Sequence, residues 1–245
     1  MPNMVKTGIE GLDAMLFGGI VEGNQMMLAG GPGAGKTLLS FEFLYRSAKM
    51  GVTSVLFALE EDPQRVIANA KEAFSDFKDI DQLIKNKKLI IDGEDPATVL
   101  HSSTSGDNSS QYEFGKVVSD IESTIVATGA KRVVIDSLSV FDMLINDPVS
   151  YRRAMLALVS NLRRLGVTSI LTAEMSTPER SKLRFRTEYF VFDGILIMYE
   201  KGEAEKRMLA MEVIKTRGSK HSFVTTPYEI TPQGFSVLSA EELGL

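Results

Sequence analysis

One short stretch of the chain has the residue types and spacing that are typical of phosphate binding. Residues 30–37 read Gly-Gly-Pro-Gly-Ala-Gly-Lys-Thr and fit the pattern G-x-x-x-x-G-K-[ST]. In this pattern, backbone N–H groups of a glycine-rich loop wrap phosphate oxygens, the lysine reaches the β- and γ-phosphates, and the hydroxyl holds Mg²⁺. The predicted nucleotide-binding residues are Gly31, Pro32, Gly33, Ala34, Gly35, Lys36, Thr37 and Leu38.

The residues on either side of this loop suit the same chemistry. Residues 25–29 read as a short buried strand, and the apolar residues after Thr37 continue as a helix. The phosphates would therefore lie at a helix N-terminus, where free N–H groups and the helix dipole favour an anion.

A second candidate metal ligand ends another apolar segment. Asp136 follows Val133, Val134 and Ile135, and a carboxylate at the end of a buried strand is the form expected of a group that holds Mg²⁺, directly or through water, beside the Thr37 hydroxyl. The alternative is an aspartate that only caps a turn.

Two glutamates are candidates for activating water. Glu60 and Glu61 follow the apolar residues 54–59, and the carboxyl ends of parallel strands gather at one edge of a sheet, together with the phosphates. A glutamate there can orient or deprotonate a water molecule near the γ-phosphate. The other interpretation is that these acids are favoured by the dipole of the next helix. We favour Glu60 as the base, and the choice between the two stays open.

The elements that would position these residues alternate between strand and helix. The pattern predicts strands at 25–29, 54–59, 85–91, 132–136 and 168–172, and helices at about 11–17, 63–74, 111–128 and 149–165, with a polar surface loop at 92–110. Such alternation indicates an α/β fold with a mostly parallel sheet covered by helices on both faces. Four further strands, at 190–199, 206–214, 228–230 and 235–238, lack intervening helices and predict an antiparallel C-terminal extension.

Length and composition fit one domain of this kind. The 245 residues divide into a lead-in segment (1–23), an α/β core (24–188) and the C-terminal strands (189–245), and we expect them to form one domain. The absence of cysteine excludes disulfides, thiolate metal sites and a cysteine nucleophile. No apolar run is long enough to span a bilayer, so a soluble cytoplasmic protein is expected. The net charge of −5 argues against a surface devoted to nucleic acid.

Five segments in fixed order carry a resemblance to a known family. They are residues 6–13, the glycine-rich loop 30–37, 59–61, 134–137 and 215–221. In this combination the chain resembles the single-domain, archaeal-type KaiC-like ATPases of the RecA superfamily, and the K-x-R-G-[ST]-x-H segment at 215–221 is the most specific part. The resemblance covers nearly the whole chain. It implies a RecA-like core that binds ATP and Mg²⁺ and assembles into a ring, usually a hexamer, with ATP between neighbours.

The resemblance also assigns roles to residues near the C-terminus. It implies that Lys215, Arg217, Ser219 and His221 face the γ-phosphate and ribose of the next subunit's nucleotide, where a cation stabilises charge on the transferring phosphoryl group. The alternative for Lys215 and Arg217 is a solvated pair at a strand end. Glu174 matches the family position of a polar group that senses the γ-phosphate. The preference for adenine rests on the resemblance alone.

Two departures from KaiC itself, the clock ATPase of this family, limit what the resemblance implies. Its autophosphorylating domain has a Ser-Thr pair where this chain has Tyr189 and Phe190, so we expect hydrolysis without autophosphorylation. It also has two RecA-like units where this chain has one, so a circadian role is not expected. Turnover is expected instead to change the state of a regulatory partner that the sequence does not identify.

Two other functions remain open at this stage. The loop from Met175 to Thr187 is rich in cations around an aromatic residue (Arg180, Lys182, Arg184, Phe185 and Arg186), and in RecA-like assemblies the corresponding loop contacts DNA. A RadA-like paralogue that uses ATP to switch DNA binding, with weak hydrolysis, is therefore the alternative; a flexible solvated loop is the simpler interpretation. A small-molecule kinase would be compatible with the glycine-rich loop alone, but no lid or acceptor pocket is evident.

Overall fold

The computed structural model describes residues 2–93, 109–145, 147–175, 180, 187–201 and 208–238. Most of these residues belong to a nine-stranded sheet and the helices that pack on it, and two short strands pair separately. Within the described ranges, no helix is both long enough and apolar enough to cross a bilayer.

The nine-stranded sheet is parallel over most of its width. A separate antiparallel pair is formed by β1 (Met4–Val5) and β2 (Ile20–Val21). The large sheet consists of β3 (Gln25–Gly30), β4 (Ser54–Ala58), β5 (Leu89–Asp92), β6 (Arg132–Asp136), β7 (Thr168–Glu174), β8 (Gly194–Lys201), β9 (Met208–Thr216), β10 (Thr226–Thr231) and β11 (Gly234–Val237). Its spatial order is β11-β10-β9-β8-β3-β7-β6-β4-β5. Neighbours from β8 to β5 are parallel and those from β8 to β11 are antiparallel, which confirms the predicted fold class.

The helices start where the local chemistry favours a start. They are α1 (Glu10–Met15), α2 (Lys36–Lys49), α3 (Pro63–Ala73), α4 (Ile80–Lys85), α5 (Ser109–Thr128), α6 (Ser139–Leu144) and α7 (Pro148–Arg164), with a 3-10 helix at Thr187–Val191. Asp62 accepts hydrogen bonds from the backbone N–H groups of residues 64 and 65, and Pro63 opens α3. Asp147 and Pro148 begin α7 in the same way.

The sheet separates two apolar cores. Every residue of β3 is buried, but successive side chains point to opposite faces. Met26 and Leu28 join a cluster built from α1 to α4, whereas Met27 and Ala29 join a cluster built from α5 to α7. Burial on both faces explains why the central strands read as uninterrupted apolar runs, and it confirms the predicted cover of helices on both sides.

Two short helices lie almost entirely in stretches for which the sequence predicted no helix or strand. The predicted strand at 85–91 begins only at Leu89, because α4 precedes it and packs Ile80 into the core. Between the predicted strand at 132–136 and the predicted helix at 149–165 lies α6, whose Phe141 and Leu144 are buried. Of the loop predicted at 92–110, residues 94–108 lie outside the described residues, and α5 begins at Ser109.

The strand predicted to start at Phe190 begins four residues later. The 3-10 helix occupies its first positions and buries Tyr189, Val191 and the adjoining Phe192. The resulting strand, β8, pairs in parallel with β3 and in antiparallel with β9. The antiparallel extension therefore begins at β9, one strand later than the sequence boundary at residue 189.

Candidate functional site: two edges of one sheet

The glycine-rich loop connects β3 to α2 at the carboxyl edge of the parallel strands. Lys36 is the first residue of α2, and its ammonium donates hydrogen bonds to the carbonyl oxygens of Gly30 (3.0 Å) and Gly31 (3.1 Å). Gly33 and Gly35 have φ values of +76° and +88°, a region that only glycine adopts without strain. The loop thus presents the N-terminus of a 14-residue helix, which suits an anion.

Two C-terminal residues hold this loop in place. The Tyr228 hydroxyl donates a hydrogen bond of 2.6 Å to the Ala34 carbonyl. A Cβ at Gly35 would lie 2.8 Å from the Ile230 side chain, so the position has no room for a larger residue. Neither contact follows from a sequence pattern, because Tyr228 and Ala34 are 194 residues apart.

The structure brings Thr37 and Asp136 together beside the loop. The Thr37 hydroxyl donates a hydrogen bond of 2.6 Å to Asp136 Oδ2, and the Thr172 hydroxyl donates one to the other carboxylate oxygen. Asp136 ends β6 and Thr172 lies in the neighbouring strand β7. A hydroxyl and a carboxylate side by side are the oxygen ligands that Mg²⁺ prefers.

The two candidate bases have different surroundings. Burial raises the pKa of the Glu60 carboxyl above its usual range, the Ser137 hydroxyl opposes the rise, and the charges of Glu174 and Asp136 add to it. Glu61 instead accepts a hydrogen bond of 3.0 Å from the Asn69 side chain and lies 3.7 Å from the Arg65 guanidinium, both on α3. Both glutamates line the groove beside the loop. The charges of Glu174 and Asp136 act on the carboxyl of Glu60, whereas the contacts of Glu61 are with α3.

Glu174 lies at the same edge. It ends β7 directly beside Gly30 of β3, and it lines the groove together with Lys36 and Asp136. Burial lowers the pKa of the Lys36 ammonium, and the negative charges of Glu174, Asp136 and Glu60, in decreasing order of effect, oppose the change. The P-loop edge, as we call this side of the sheet, therefore carries four carboxylates around one lysine: Glu60, Glu61, Asp136 and Glu174.

A cleft next to the loop has room for a small organic ligand. It has a volume of about 510 Å³ and is lined by the loop and by apolar side chains that include Phe41, Val66, Ala70 and Ile230. Ligand pockets with an apolar lining and a few polar groups commonly have volumes of this order. None of these four apolar residues was predicted to line a site.

The cations predicted near the C-terminus lie at the opposite edge of the sheet. Gly194 of β8 pairs with Met26 near the start of β3 and with Thr216 at the end of β9. Since β3 runs on for four residues to Gly30, the segment that carries Lys215 and Arg217 is about 13 Å from the start of the phosphate loop along the sheet. The structure does not bring these two residues to the phosphate loop of their own chain.

Backbone carbonyls and one carboxylate hold these cations. The Lys215 ammonium donates to the carbonyls of Phe190 (3.1 Å) and Phe192 (2.6 Å), and Arg217 also donates to Phe190 O (3.0 Å). Asp193 lies 3.6 Å from Arg217 and 2.7 Å from Arg163 at the end of α7. We call this group of Arg163, Lys215 and Arg217 around Asp193 the cation edge. Burial and the charge of Arg217 lower the pKa of Lys215 to about 8.

Ser219 and His221 lie in the same segment. The Ser219 carbonyl accepts a hydrogen bond of 3.0 Å from the Thr216 hydroxyl, and the His221 ring packs 4.6 Å from the ring of Phe223. The next residue, Ser222, donates its N–H to Met15 O at 2.8 Å and so ties the segment to α1. Ser219 and His221 thus lie in the same segment as the cations, and neither is brought to the phosphate loop of its own chain.

Most of the predicted DNA-binding loop lies outside the described residues. Of its cations and aromatic residue, only Arg180 is described, and its guanidinium forms an ion pair of 2.7 Å with Glu212 of β9. The hypothesis that this loop contacts DNA stays a prediction.

Comparisons with known proteins agree over almost the entire chain. A family model described as "ATPase: KaiC" matches residues 5–242. The chain is 33% identical to a UPF0273 protein of Aeropyrum pernix (97% of this chain, 94% of that protein) and 34% identical to one of Pyrococcus horikoshii (97% and 94%). It is also 33% identical to the circadian clock oscillator protein KaiC of a Picosynechococcus species, over 95% of this chain but only 44% of that protein. The chain therefore spans less than half of the clock protein and nearly all of the archaeal ones.

Proposed function

The chain belongs to the KaiC ATPase family, and on this premise we propose that it hydrolyses Mg²⁺-ATP at interfaces between neighbouring copies in a ring. The observation that carries the proposal is the separation of the phosphate loop from the cations Lys215 and Arg217 on opposite edges of one sheet. Cations in that position serve a nucleotide only if it is bound by another copy.

The residues at the P-loop edge fit ATP and a magnesium ion. The loop amides and Lys36 would bind the phosphates. The cleft beside Phe41 and Ile230 offers a place for the adenine ring of the nucleotide. Thr37 and Asp136, already 2.6 Å apart, would hold Mg²⁺ directly or through water. A bound Mg²⁺ would neutralise charge on the β- and γ-phosphates.

Glu60 is the proposed base for the attacking water. Its raised pKa makes the carboxylate a better proton acceptor, and it shares the groove with Lys36, Thr37 and Asp136. Glu61 is engaged with Asn69 and Arg65 on α3 and remains the second candidate. Glu174, which lines the same groove, would sense the γ-phosphate.

A second copy would complete the site through its cation edge. The P-loop edge of the described sheet carries four carboxylates around Lys36. The cation edge carries three cations, Arg163, Lys215 and Arg217, around the single carboxylate of Asp193. Contact between unlike edges is heterologous and closes into a ring when the rotation permits. Lys215 and Arg217 would then stabilise charge on the neighbour's γ-phosphate, with Ser219 and His221 beside the ribose. A hexamer and a regulatory partner are part of this proposal, as is a single domain over residues 1–245.

Mixing two inactive variants tests the proposal. Arg217→Ala removes a cation at the interface and should lower kcat by about 10³-fold or more. Subunits with Glu60→Gln and Glu61→Gln lack the base but keep their cations. An equal mixture should recover about a quarter of wild-type turnover, because half of the sites are intact and half of those meet an intact neighbour.

The matched control is Arg164→Ala. Arg164 is an exposed arginine that is next to Arg163 in the sequence and is paired with Glu122 at 2.9 Å, and this variant should keep wild-type turnover. A mixture that is no more active than the sum of its parts would contradict catalysis between subunits. Absence of turnover in the wild type would make the nucleotide a switching ligand. Transfer of label from γ-labelled ATP to the protein would contradict the expected absence of autophosphorylation.

A further inference from the structure

Asp193 is a buried carboxylate that the proposed reaction does not use directly. Only 6% of the residue is exposed. Its Oδ2 accepts hydrogen bonds from the backbone N–H of Gln25 (3.0 Å) and from Arg163 Nε (3.2 Å), and its Oδ1 accepts one from Arg163 Nη2 (2.7 Å). The paired bonds to Arg163 fix the planes of both groups.

These contacts connect the carboxylate to the rigid part of the fold. Gln25 begins β3, the strand that leads to the phosphate loop, and its side-chain amide donates to the carbonyls of Gly23 (2.8 Å) and Val167 (2.9 Å). Arg163 also donates to Val191 O at 3.3 Å, in the 3-10 helix. Asp193 is therefore held by the sheet and by α7, and Arg163 connects it to the 3-10 helix.

The same carboxylate faces the two cations that are proposed to act on a neighbour. Arg217 Nη1 lies 3.6 Å from Asp193 Oδ1, and more than half of the Arg217 side chain (53%) is exposed. Arg217 also donates through Nη2 to Phe190 O, which Lys215 shares. Without a negative charge at this point, three cations in close proximity would repel one another. The guanidinium of Arg217 is thus both oriented and open to an incoming phosphate.

We propose that Asp193 and Arg163 are positioning residues that set the orientation of Arg217 toward the nucleotide of the neighbouring subunit. This inference rests on the proposed function. Asp193 supplies the fixed acceptor, and Arg163 holds that acceptor in one orientation. Neither residue touches the nucleotide; each acts through Arg217.

The test uses Asp193→Asn and Arg163→Met in the full chain. Each should lower kcat by about 10- to 100-fold, since a shift of about 1 Å in a catalytic group costs as much, while the affinity for a fluorescent ATP analogue stays unchanged because the P-loop edge is intact. Arg163→Lys, which keeps the charge, should lose less than Arg163→Met. Glu122→Gln and Arg164→Met break the exposed ion pair at the same end of α7 and should leave kcat unchanged.

Complementation separates positioning from a merely structural role. Subunits with Asp193→Asn should recover activity when mixed with subunits that carry Glu60→Gln and Glu61→Gln, as Arg217→Ala subunits do, because their own phosphate loops work and only their cations are displaced. A structural role at the start of β3 would instead damage the phosphate loop of the same subunit, and mixing would not restore it.

Each outcome decides the inference. It is overturned if Asp193→Asn and Arg163→Met keep wild-type kcat, or if Arg217→Ala is complemented and these variants are not. If Arg217→Ala itself is not complemented, the proposed function fails and the inference fails with it. Should circular dichroism show that Asp193→Asn does not fold, Arg163→Met decides alone, since it leaves the hydrogen bond between Gln25 and Asp193 in place.

Discussion

The P-loop edge and the cation edge are built by different parts of the topology. At the P-loop edge, side chains from the ends of β4, β6 and β7 meet the loop after β3, as any set of parallel strands would bring them together. At the cation edge, Lys215 comes from β9, which runs antiparallel to β8. That single reversal carries the end of β9 to the edge where β3 begins.

Because of this reversal, one sheet carries the phosphate loop with acidic groups at one edge and a cluster of cations at the other. Acidic groups and the phosphate loop lie where the parallel strands end, and basic groups lie where they start. A protomer arranged in this way offers unlike surfaces to two neighbours, which suits head-to-tail assembly. β10 then returns the chain to the P-loop edge, where Tyr228 and Ile230 contact the loop.

The largest effect of a substitution at the P-loop edge should come from the proposed base, Glu60. Glu60→Gln should lower kcat by about 10²- to 10³-fold, because the amide cannot accept the proton of the attacking water. Glu61→Gln should change kcat by about fivefold at most, because it weakens only the partly exposed contacts with Asn69 and Arg65. Steady-state hydrolysis measures both. Equal binding of an ATP analogue by the two variants is the control, and a larger loss in Glu61→Gln would reverse the assignment.

The sequence predicted the residues of the P-loop edge far better than the contacts that hold either edge in place. Lys36 and Thr37 belong to a contiguous motif, and Asp136 and Glu60 end apolar runs, so local spacing and the rule for parallel strands were sufficient to expect them at one edge. The structure does bring Thr37 and Asp136 within 2.6 Å.

The contacts that hold the edges in place were not predicted, because they join residues that are far apart in the sequence. Asp193 lay inside a predicted strand at 190–199, and nothing local marks its contacts with Arg163 and Gln25, which are 30 and 168 residues away. The short helices α4 and α6 were missed for another reason: at six residues each, they carry too few turns for a clear helical period.

The two edges should also determine different limbs of the pH profile of kcat/KM: Glu60 of the P-loop edge the acid limb, and Lys215 of the cation edge the alkaline limb. As a base, Glu60 must be ionised, and its raised pKa moves the acid limb above the range usual for glutamate. Lys215 must be protonated, so kcat/KM should fall as the pH rises through its pKa of about 8.

Lys215→Arg isolates the alkaline limb. Because arginine stays charged over the whole pH range of the assay, this variant should lose the alkaline limb and keep the acid one. Hydrolysis measured between pH 5 and 10 at constant ionic strength tests this. An alkaline limb that persists in Lys215→Arg would mean that another group titrates there.

The smallest expected effect concerns the contact that connects the C-terminal strands to the loop. In a trans peptide, the carbonyl and the following N–H point in opposite directions, so the bond from Tyr228 to the Ala34 carbonyl also orients the N–H of Gly35 toward the phosphate side. Tyr228→Phe removes this bond, which is worth about 1 kcal/mol, and should weaken ATP binding about fivefold with little change in kcat. The control is Tyr199→Phe, a buried tyrosine whose hydroxyl pairs with Thr225 at 3.0 Å. Calorimetry measures both affinities. Equal losses of ATP affinity in the two variants would indicate general loosening of the C-terminal strands. A loss of affinity confined to Tyr228→Phe would show that β10 takes a direct part in shaping the phosphate site.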